Sequence, residues 1–171
     1  WSGPEDLSGV ARAVWDEEYL YLAVKVTDDA VVQESANEYL HRGDAVELFW
    51  DIDLASDFGQ DAYSADEAQM VFSPGNFSGK PPFAWVHQSP TGNFHRKMMV
   101  GYSFSPEGYQ IEMRVPWSGL AIVPESGQIY GYALALSDDD TFGDATQETQ
   151  MATTPKLPYL HPTHWGNFIL D

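Results

Sequence analysis

The stretch QIEMRV, residues 110–115, decides the fold class of this chain. Ile111, Met113 and Val115 alternate with three polar or charged side chains. A period of two is the pattern of a β-strand that buries one face. The turn residues SPEG, 105–108, stand directly before it and follow another β-rich segment, Met98–Phe104. The two segments are therefore predicted to form a β-hairpin.

Segments of the same kind lie on both sides of this hairpin. They are rich in β-branched and aromatic residues and are separated by Pro, Gly, Asn and Asp. The further predicted strands are Ala11–Trp15, Leu20–Val26, Ala45–Trp50, Gln69–Phe72, Tyr130–Leu136 and Asn167–Leu170. Short helical turns are predicted only at Asn37–Leu40 and Trp117–Leu120. Many short strands with frequent turns predict an all-β fold, an antiparallel two-sheet β-sandwich of jelly-roll or immunoglobulin-like type.

Length and composition fit a globular domain. The 171 residues are 43% hydrophobic and 14% aromatic, which excludes a disordered chain. We predict that residues 1–171 form a single domain. The sequence begins at Trp1 without an initiator Met, so we expect it to be a piece of a larger protein. No uncharged apolar stretch is long enough to predict a transmembrane helix.

The charge balance and the cysteine count exclude several functions. The chain has 26 Asp and Glu against 8 Lys and Arg, for a net charge of −18. Such a chain repels phosphate backbones and anionic membranes, so we expect neither a nucleic acid partner nor membrane insertion. There is no cysteine, which excludes disulfides, thiol catalysis and Cys-based zinc sites.

The densest group of acids lies in the segment DIDLASDFGQDAYSADE, residues 51–67. Carboxylate oxygens are the ligands that hard cations prefer, and calcium takes six to eight of them. The spacing differs from that of an EF-hand. This segment predicts a calcium site formed by Asp51, Asp53, Asp57, Asp61 and Asp66. A second candidate group is Asp28 and Asp29, which follow a predicted strand, together with Asp44.

No catalytic motif is present in the sequence. The nucleophile elbow, the P-loop, the dinucleotide-binding glycines and the zinc-protease motif are all absent. Two carboxylates at the right distance could hydrolyse a glycoside, but the sequence shows no cleft that would hold a substrate between them. We therefore expect a protein that is not an enzyme.

Six segments occur in an order that resembles a known family. They are AVWDEEYLYLAVKVTDD (13–29), GDAVELFWDID (43–53), DEAQMVF (66–72), GYQIEMRVPWSGL (108–120), GQIYGYALALSDDD (127–140) and HWGNFILD (164–171). Together they resemble carbohydrate-binding module family 9 and its wider sandwich relatives. The resemblance implies a two-sheet β-sandwich, often with bound calcium. It also implies a site that holds a terminal sugar between two Trp side chains while polar side chains hydrogen-bond the hydroxyls.

The resemblance assigns candidate sugar-binding residues in this chain. Three of them match the polar contacts of the family: Glu47 in GDAVELFWD, Gln69 in DEAQ and Asp138 at the end of YALALSD. The two Trp positions of the family are substituted here. His41, with Tyr39 beside it, stands near the first position, and Tyr159 stands near the second. The resemblance implies that Tyr159, with His41 or Tyr39, contacts the apolar faces of the sugar ring.

The prediction is a secreted or cell-surface, calcium-stabilised carbohydrate-binding module. It would bind a polysaccharide or oligosaccharide and hold an appended catalytic domain or surface protein near it, and we expect a monomer. Two alternatives stay open. A related group of sandwiches binds haem b through Met and His or Lys, and this chain has five methionines and five histidines. The domain could also be a structural spacer without a ligand.

Overall fold

The structure is a computed structural model that describes residues 1–56, 59–76 and 79–171. Its described residues form ten strands: β1 (Leu7–Trp15), β2 (Tyr19–Asp28), β3 (Ala45–Asp51), β4 (Glu67–Ser73), β5 (Phe83–Gln88), β6 (Met99–Ser105), β7 (Gly108–Pro116), β8 (Ile129–Asp138), β9 (Thr149–Ala152) and β10 (Gly166–Ile169). Short 3-10 helices lie at Asn37–Arg42, His95–Lys97, Trp117–Gly119, Pro158–Leu160 and Pro162–His164.

The strands form two antiparallel sheets. The first sheet has the order β1-β2-β7-β6, and the second has the order β10-β8-β3-β4-β5, with β9 paired to β8. The predicted all-β sandwich is therefore confirmed. The predicted hairpin is confirmed as well, because Ser105 pairs with Gly108 at the β6–β7 turn. The prediction missed β5 and β9, and it started β1 at Ala11 rather than at Leu7.

The core fills the space between the two sheets because every second side chain of each strand points inward. On β2 the inward residues are Leu20, Leu22, Val24 and Val26, and on β3 they are Val46, Leu48 and Trp50. Each fully buried side chain of this size stabilises the fold by roughly 1.5–3 kcal/mol. Three of the methionines that kept the haem alternative open, Met70, Met98 and Met113, are part of this core.

The central strands of the second sheet, β3, β4 and β8, are almost wholly buried. All residues of β3 are buried, including Glu47, which points away from the core. The 3-10 helices at Asn37–Arg42 and Pro158–Leu160 contact the strands of this sheet, and β9 extends the sheet beside β8. They therefore form the surroundings of Glu47. No helix of the described residues has the length and apolar composition that crossing a membrane requires.

Candidate functional site

The outer face of the second sheet carries a pocket of about 480 Å³ around Glu47. Its side chains come from β3, β4, β5 and β9, and from the loops and 3-10 helices above them. The pocket is lined by His41, Glu47, Tyr63, Gln69, His87, Gln147, Gln150 and Tyr159. The structure thus brings together four of the six residues predicted to bind sugar: Glu47, Gln69, His41 and Tyr159.

The Glu47 carboxylate is fixed by three neutral donors. Gln69 Nε2 donates to Oε2 at 3.1 Å, and Ser137 Oγ and Gln150 Nε2 donate to Oε1 at 2.9 and 2.7 Å. Only 2% of Glu47 is exposed. Hydrogen bonds to a charged acceptor are stronger than those between neutral groups. Glu47 therefore holds the two glutamine amides in fixed orientations at the floor of the pocket.

Two buried polar atoms of the pocket have no hydrogen-bond partner among the described residues, Tyr63 Oη and Gln150 Oε1. Burial, followed by the charges of Glu47 and Glu67, raises the pKa of Tyr63, so its phenol stays protonated. Buried polar groups in proteins nearly always have partners. The pocket therefore offers one free donor and one free acceptor, which suits a ligand hydroxyl because a hydroxyl both donates and accepts.

Aromatic rings form the sides of the pocket. The His41 and His87 ring centroids are 5.7 Å apart. Burial, with the nearby His41 next in effect, lowers the pKa of His87, which favours its uncharged form. Tyr159 lies in the 3-10 helix Pro158–Leu160 and is 41% exposed. The fixed backbone angle of Pro158 restrains this turn. The pocket thus combines a polar floor with exposed ring surface.

Tyr39 and Asp138 were also predicted to bind sugar, but neither is among the described residues that line the pocket. The Tyr39 ring is 49% exposed and lies 4.6 Å from the guanidinium carbon of Arg42. Asp138 follows Ser137 on β8, and consecutive side chains of a strand point to opposite faces. Since Ser137 contacts Glu47, Asp138 points to the core side of the sheet, where it meets other aspartates.

Four residues of the pocket were missed from the sequence: Tyr63, His87, Gln147 and Gln150. The sequence contains a pattern that could have identified His87. Ala84 and Val86 are buried and alternate with Phe83, Trp85 and His87, so the period of two in β5 could have been found. The pairing of β5 with β4 also shifts register beside Gln69, and such irregularities redirect side chains at functional sites. Tyr63 lies outside the strands and has no such signal.

A cluster of aspartates lies at one end of the sandwich, and we name Asp28, Asp44 and Asp138 the aspartate cluster. Their carboxylate oxygens lie within 4.8 Å of one another, and all three residues are buried. Each continues an inward-facing apolar stripe: Asp28 after Val26, Asp44 before Val46, and Asp138 after Leu136. Two overlapping groups add further acids at the same place, Asp6 with Asp138 and Asp140, and Asp28 with Asp29 and Asp140.

The aspartate cluster has too few donors for its oxygens: the backbone N–H groups of Ala30 and Val32 donate to Asp28 Oδ1 and Asp44 Oδ2, and the other oxygens of these two residues receive none from the described residues. Within the described part of the chain, Asp28 Oδ2, Asp44 Oδ1 and Asp138 Oδ1 are buried without a hydrogen-bond partner. Burial, followed by the charge of Asp28, raises the pKa of Asp44 to about 11. Burial and the charge of Asp140 raise the pKa of Asp138 to about 7. Buried carboxylates that face one another in this way fit a hard divalent cation, which prefers oxygen ligands and neutralises their charge.

The segment predicted to bind calcium, residues 51–67, is arranged differently. The backbone N–H of Asp53 donates to Asp51 Oδ1 at 3.0 Å and to Asp66 Oδ2 at 3.1 Å. Asp61 Oδ2 forms an ion pair with His161 Nδ1 at 2.7 Å. Asp57 lies outside the described residues. No three of the four described aspartates bring carboxylate oxygens within 4.8 Å of one another. The structure instead assembles the second candidate group, in which Asp28 and Asp44 meet.

Comparison with known proteins identifies the family of the chain. A family profile described as "Carbohydrate family 9 binding domain-like" matches residues 1–171. The chain is 28% identical over 168 residues to exoglucanase XynX of Acetivibrio thermocellus and 29% identical over 172 residues to endo-1,4-beta-xylanase C of Paenibacillus barcinonensis. These matches cover 98% and 99% of this chain but only 14% of each relative, so the chain spans a small part of their length.

The fold matches solved structures over almost the whole chain. A carbohydrate binding module family 9 from Caldicellulosiruptor kristjanssonii, in complex with cellotriose, superposes with a TM-score of 0.73 at 19% identity. The match covers 99% of this chain and 78% of that chain. The complex of such a module with glucose gives the same TM-score. The order of the sequence segments and the sandwich fold agree with the family profile, which matches residues 1–171. The chain therefore belongs to the carbohydrate family 9 binding domain-like family.

Proposed function

We propose that the non-catalytic carbohydrate binding of this domain takes place in the pocket around Glu47. The observation that carries this proposal is the combination of a fixed carboxylate with two free polar atoms, Tyr63 Oη and Gln150 Oε1. A pocket of about 480 Å³ falls within the usual size range of small-molecule sites. Its donors, acceptors and ring faces match a sugar, which has hydroxyls around an apolar ring.

The proposed ligand is the end of a β-linked glucose or xylose chain. Relatives of the chain are an exoglucanase and xylanases, and similar structures hold cellotriose and glucose. Glu47 and the two glutamine amides would bind the hydroxyls of one sugar ring. Tyr159 and His41 would contact the ring faces. These rings offer less area than the two Trp side chains of the family pattern, so we expect weaker binding than such a pair gives.

We also propose that calcium binds at the aspartate cluster. Asp28 belongs to the first sheet, whereas Asp44 and Asp138 adjoin the second, so all three lie where the two sheets meet. The bound ion would supply positive charge to the carboxylate oxygens that lack donors, while the aspartates hold the ends of β2, β3 and β8 together. The unpartnered buried oxygens of all three residues support this placement.

In the parent protein, the domain would hold an appended catalytic domain near its polysaccharide. This role is supported by relatives of which the chain covers only 14%, since the rest of their length is available for catalysis. We propose that such a protein is secreted, that this domain performs no reaction of its own, and that it acts as a monomer.

The experiment is calorimetric titration of the domain with glucose, cellotriose and xylotriose. We expect binding of at least one of them and a loss of about tenfold or more in Gln150→Leu, because this change removes both a donor to Glu47 and a free acceptor. Gln60→Leu, an exposed loop position, is the matched control and should bind like wild type. Absence of binding to all three sugars, or equal affinities in the two variants, would contradict the proposed pocket.

A further inference from the structure

The outer face of the first sheet carries a second concave surface, a trough of about 480 Å³. It runs across all four strands between two rows of paired residues. Tyr21 and Arg114 pair in one row, and Arg12, Ala23, Glu112 and Gly101 align in the other. Neighbouring strands lie about 4.8 Å apart, so the trough is about 14 Å long. Ala23 and Gly101 keep it open, because they add little side-chain volume.

The trough is open at both ends. β1 and β6 are the edge strands of this sheet, and their outward residues Val14 and Met99 are exposed. A chain could therefore enter at one edge of the sheet and leave at the other. This shape differs from the pocket around Glu47, which is lined by residues of β9 and of two 3-10 helices as well as by the sheet. It suits an internal segment of a linear polymer.

Three cationic side chains lie on this face. Arg12, Lys25 and Arg114 are three of the eight Lys and Arg in a chain with 26 acids. No ion pair within 4.0 Å is found for these three cations among the described residues, although the pKa of Asp16 is lowered by the backbone hydrogen bonds from Glu18 and Tyr19 and, to a smaller extent, by the charge of Arg114. The acids that face them are Glu112 in the trough and Asp16 at its end, where Asp16 accepts the Tyr21 hydroxyl at 2.9 Å.

Arg114 is positioned by contacts with neutral side chains. Its guanidinium carbon lies 4.3 Å from the Tyr19 ring centroid, and Nη2 contacts Met99 Sδ at 2.6 Å. Its Nε is buried and has no hydrogen-bond partner among the described residues. A guanidinium fixed by stacking keeps its planar donors available, and that geometry matches a carboxylate.

We propose that this trough is a second carbohydrate-binding site, which takes an internal segment of a uronate-bearing polysaccharide. The uronate carboxylate would bind Arg12 or Arg114, a sugar face would lie on Tyr21, and Glu112 would accept a hydroxyl. The trough volume fits a few sugar rings. A stable protein partner would need about 800 Å² of contact on each side. The net charge of −18 repels a second copy of this chain and, at long range, an anionic polymer as well, so binding of the polymer would depend on direct contacts of its carboxylates with Arg12 and Arg114.

The test titrates glucuronoxylan, and the same polymer after reduction of its carboxyls to alcohols, into variants that all carry Glu47→Gln. This background removes the contribution of the first pocket, whose own binding is followed separately with cellotriose. We expect the Glu47→Gln protein to bind glucuronoxylan at least tenfold more tightly than the reduced polymer. Adding Arg12→Gln or Arg114→Gln should each lower affinity for glucuronoxylan about tenfold.

Lys25→Gln is the matched control, because it removes the same charge from the same face outside the trough. It should change affinity less than threefold, and melting curves should show that the variants are folded. The proposal is wrong if the two polymers bind equally, if Lys25→Gln acts like Arg12→Gln, or if Glu47→Gln alone abolishes binding to glucuronoxylan. A dimer in sedimentation velocity that Arg12→Gln dissociates would instead assign this face to a second copy.

Discussion

The pocket around Glu47 and the aspartate cluster are built on the same two strands, but their carboxylates have opposite surroundings. Glu47 of β3 and Ser137 of β8 point outward, where amides and a hydroxyl surround the carboxylate. Asp44, which precedes β3, and Asp138, which ends β8, point to the core side and face other carboxylates. The neighbours of a buried acid, more than the acid itself, therefore decide which ligand it can bind.

The neutral donors around Glu47 stabilise its charge without a cation, so the pocket suits a neutral ligand rich in hydroxyls. In the aspartate cluster, like charges face one another, and each aspartate has a buried oxygen without a partner among the described residues. Ionising all three without a cation is costly. Removal of the cation should therefore lower the stability of the fold, whereas changes in the pocket should lower the affinity for sugar.

The largest expected effect is that of calcium removal on stability. With calcium far above its dissociation constant, binding contributes about 4 kcal/mol, so EDTA should lower the melting temperature by about 10 °C. Calorimetric melts with excess calcium and with EDTA measure this difference. Asp44→Asn should abolish most of it, and Asp53→Asn, in the segment first predicted to bind calcium, should leave it unchanged. The reverse pattern would place the ion in that segment.

The next effect concerns Tyr63→Phe, which removes only the free phenol of the pocket. We expect about a tenfold loss of affinity for cellotriose, since one hydrogen bond to the ligand is lost. Stability should stay equal or rise, because a buried hydroxyl without a described partner is removed. Calorimetric titration and melting curves measure the two quantities. Tyr102→Phe, on exposed β6, is the control and should change neither; a Tyr63→Phe protein with unchanged affinity would exclude Tyr63 from the site.

A smaller effect is expected from the aromatic ring that contacts the face of the sugar, for which Tyr159 and Tyr39 are the candidates. Tyr159→Ala should weaken cellotriose binding about three- to tenfold, which is the usual contribution of one ring contact. Tyr39→Ala should change affinity less than twofold, because Tyr39 lies outside the pocket lining and its ring contacts Arg42. Titration of both variants decides the matter. If Tyr39→Ala has the larger effect, Tyr39 rather than Tyr159 is the tyrosine that contacts the sugar.

The smallest effect is a pH dependence that arises from His87. Its pKa is lowered in the folded protein, so as the pH falls below about 6.5 the unfolded chain takes up this proton first. Stability from the neutral ring is therefore complete above that pH and is lost as the pH falls toward 5. In melting curves between pH 7 and pH 5, His87→Gln should lose less stability than wild type. Equal losses in the two proteins would show that His87 is not the group responsible.

The period of two predicted much of what the structure shows. Applied to β3, it puts Val46, Leu48 and Trp50 on the core face and Glu47 on the outer face; applied to β4, it puts Met70 and Phe72 on the core face and Gln69 on the outer face, as observed. The same rule, extended by one step, would have placed Asp138 with Leu134 and Leu136 on the core side, away from the pocket. The resemblance to a family assigned Asp138 to sugar contact instead, and the geometry places it in the aspartate cluster.

The parts that were missed depend on pairing between distant segments. Local density favoured the five aspartates of residues 51–66, but Asp28 and Asp138 are 110 residues apart and meet only once the two sheets are stacked. Gln150 belongs to the four-residue strand β9, and its role depends on the pairing of β9 with β8. Tyr63 reaches the pocket from a loop. A local pattern cannot identify such residues, because their neighbours are set by the fold.

The most direct measurement is a pair of titrations on one variant, Glu47→Gln, with calcium and with cellotriose. The exchange keeps the shape of the side chain but removes the charge that holds the two amides. We predict that calcium affinity stays within twofold of wild type, while cellotriose affinity falls by at least tenfold. Wild-type affinity for cellotriose in the Glu47→Gln protein, or loss of calcium binding together with sugar binding, would contradict the separation of the two sites.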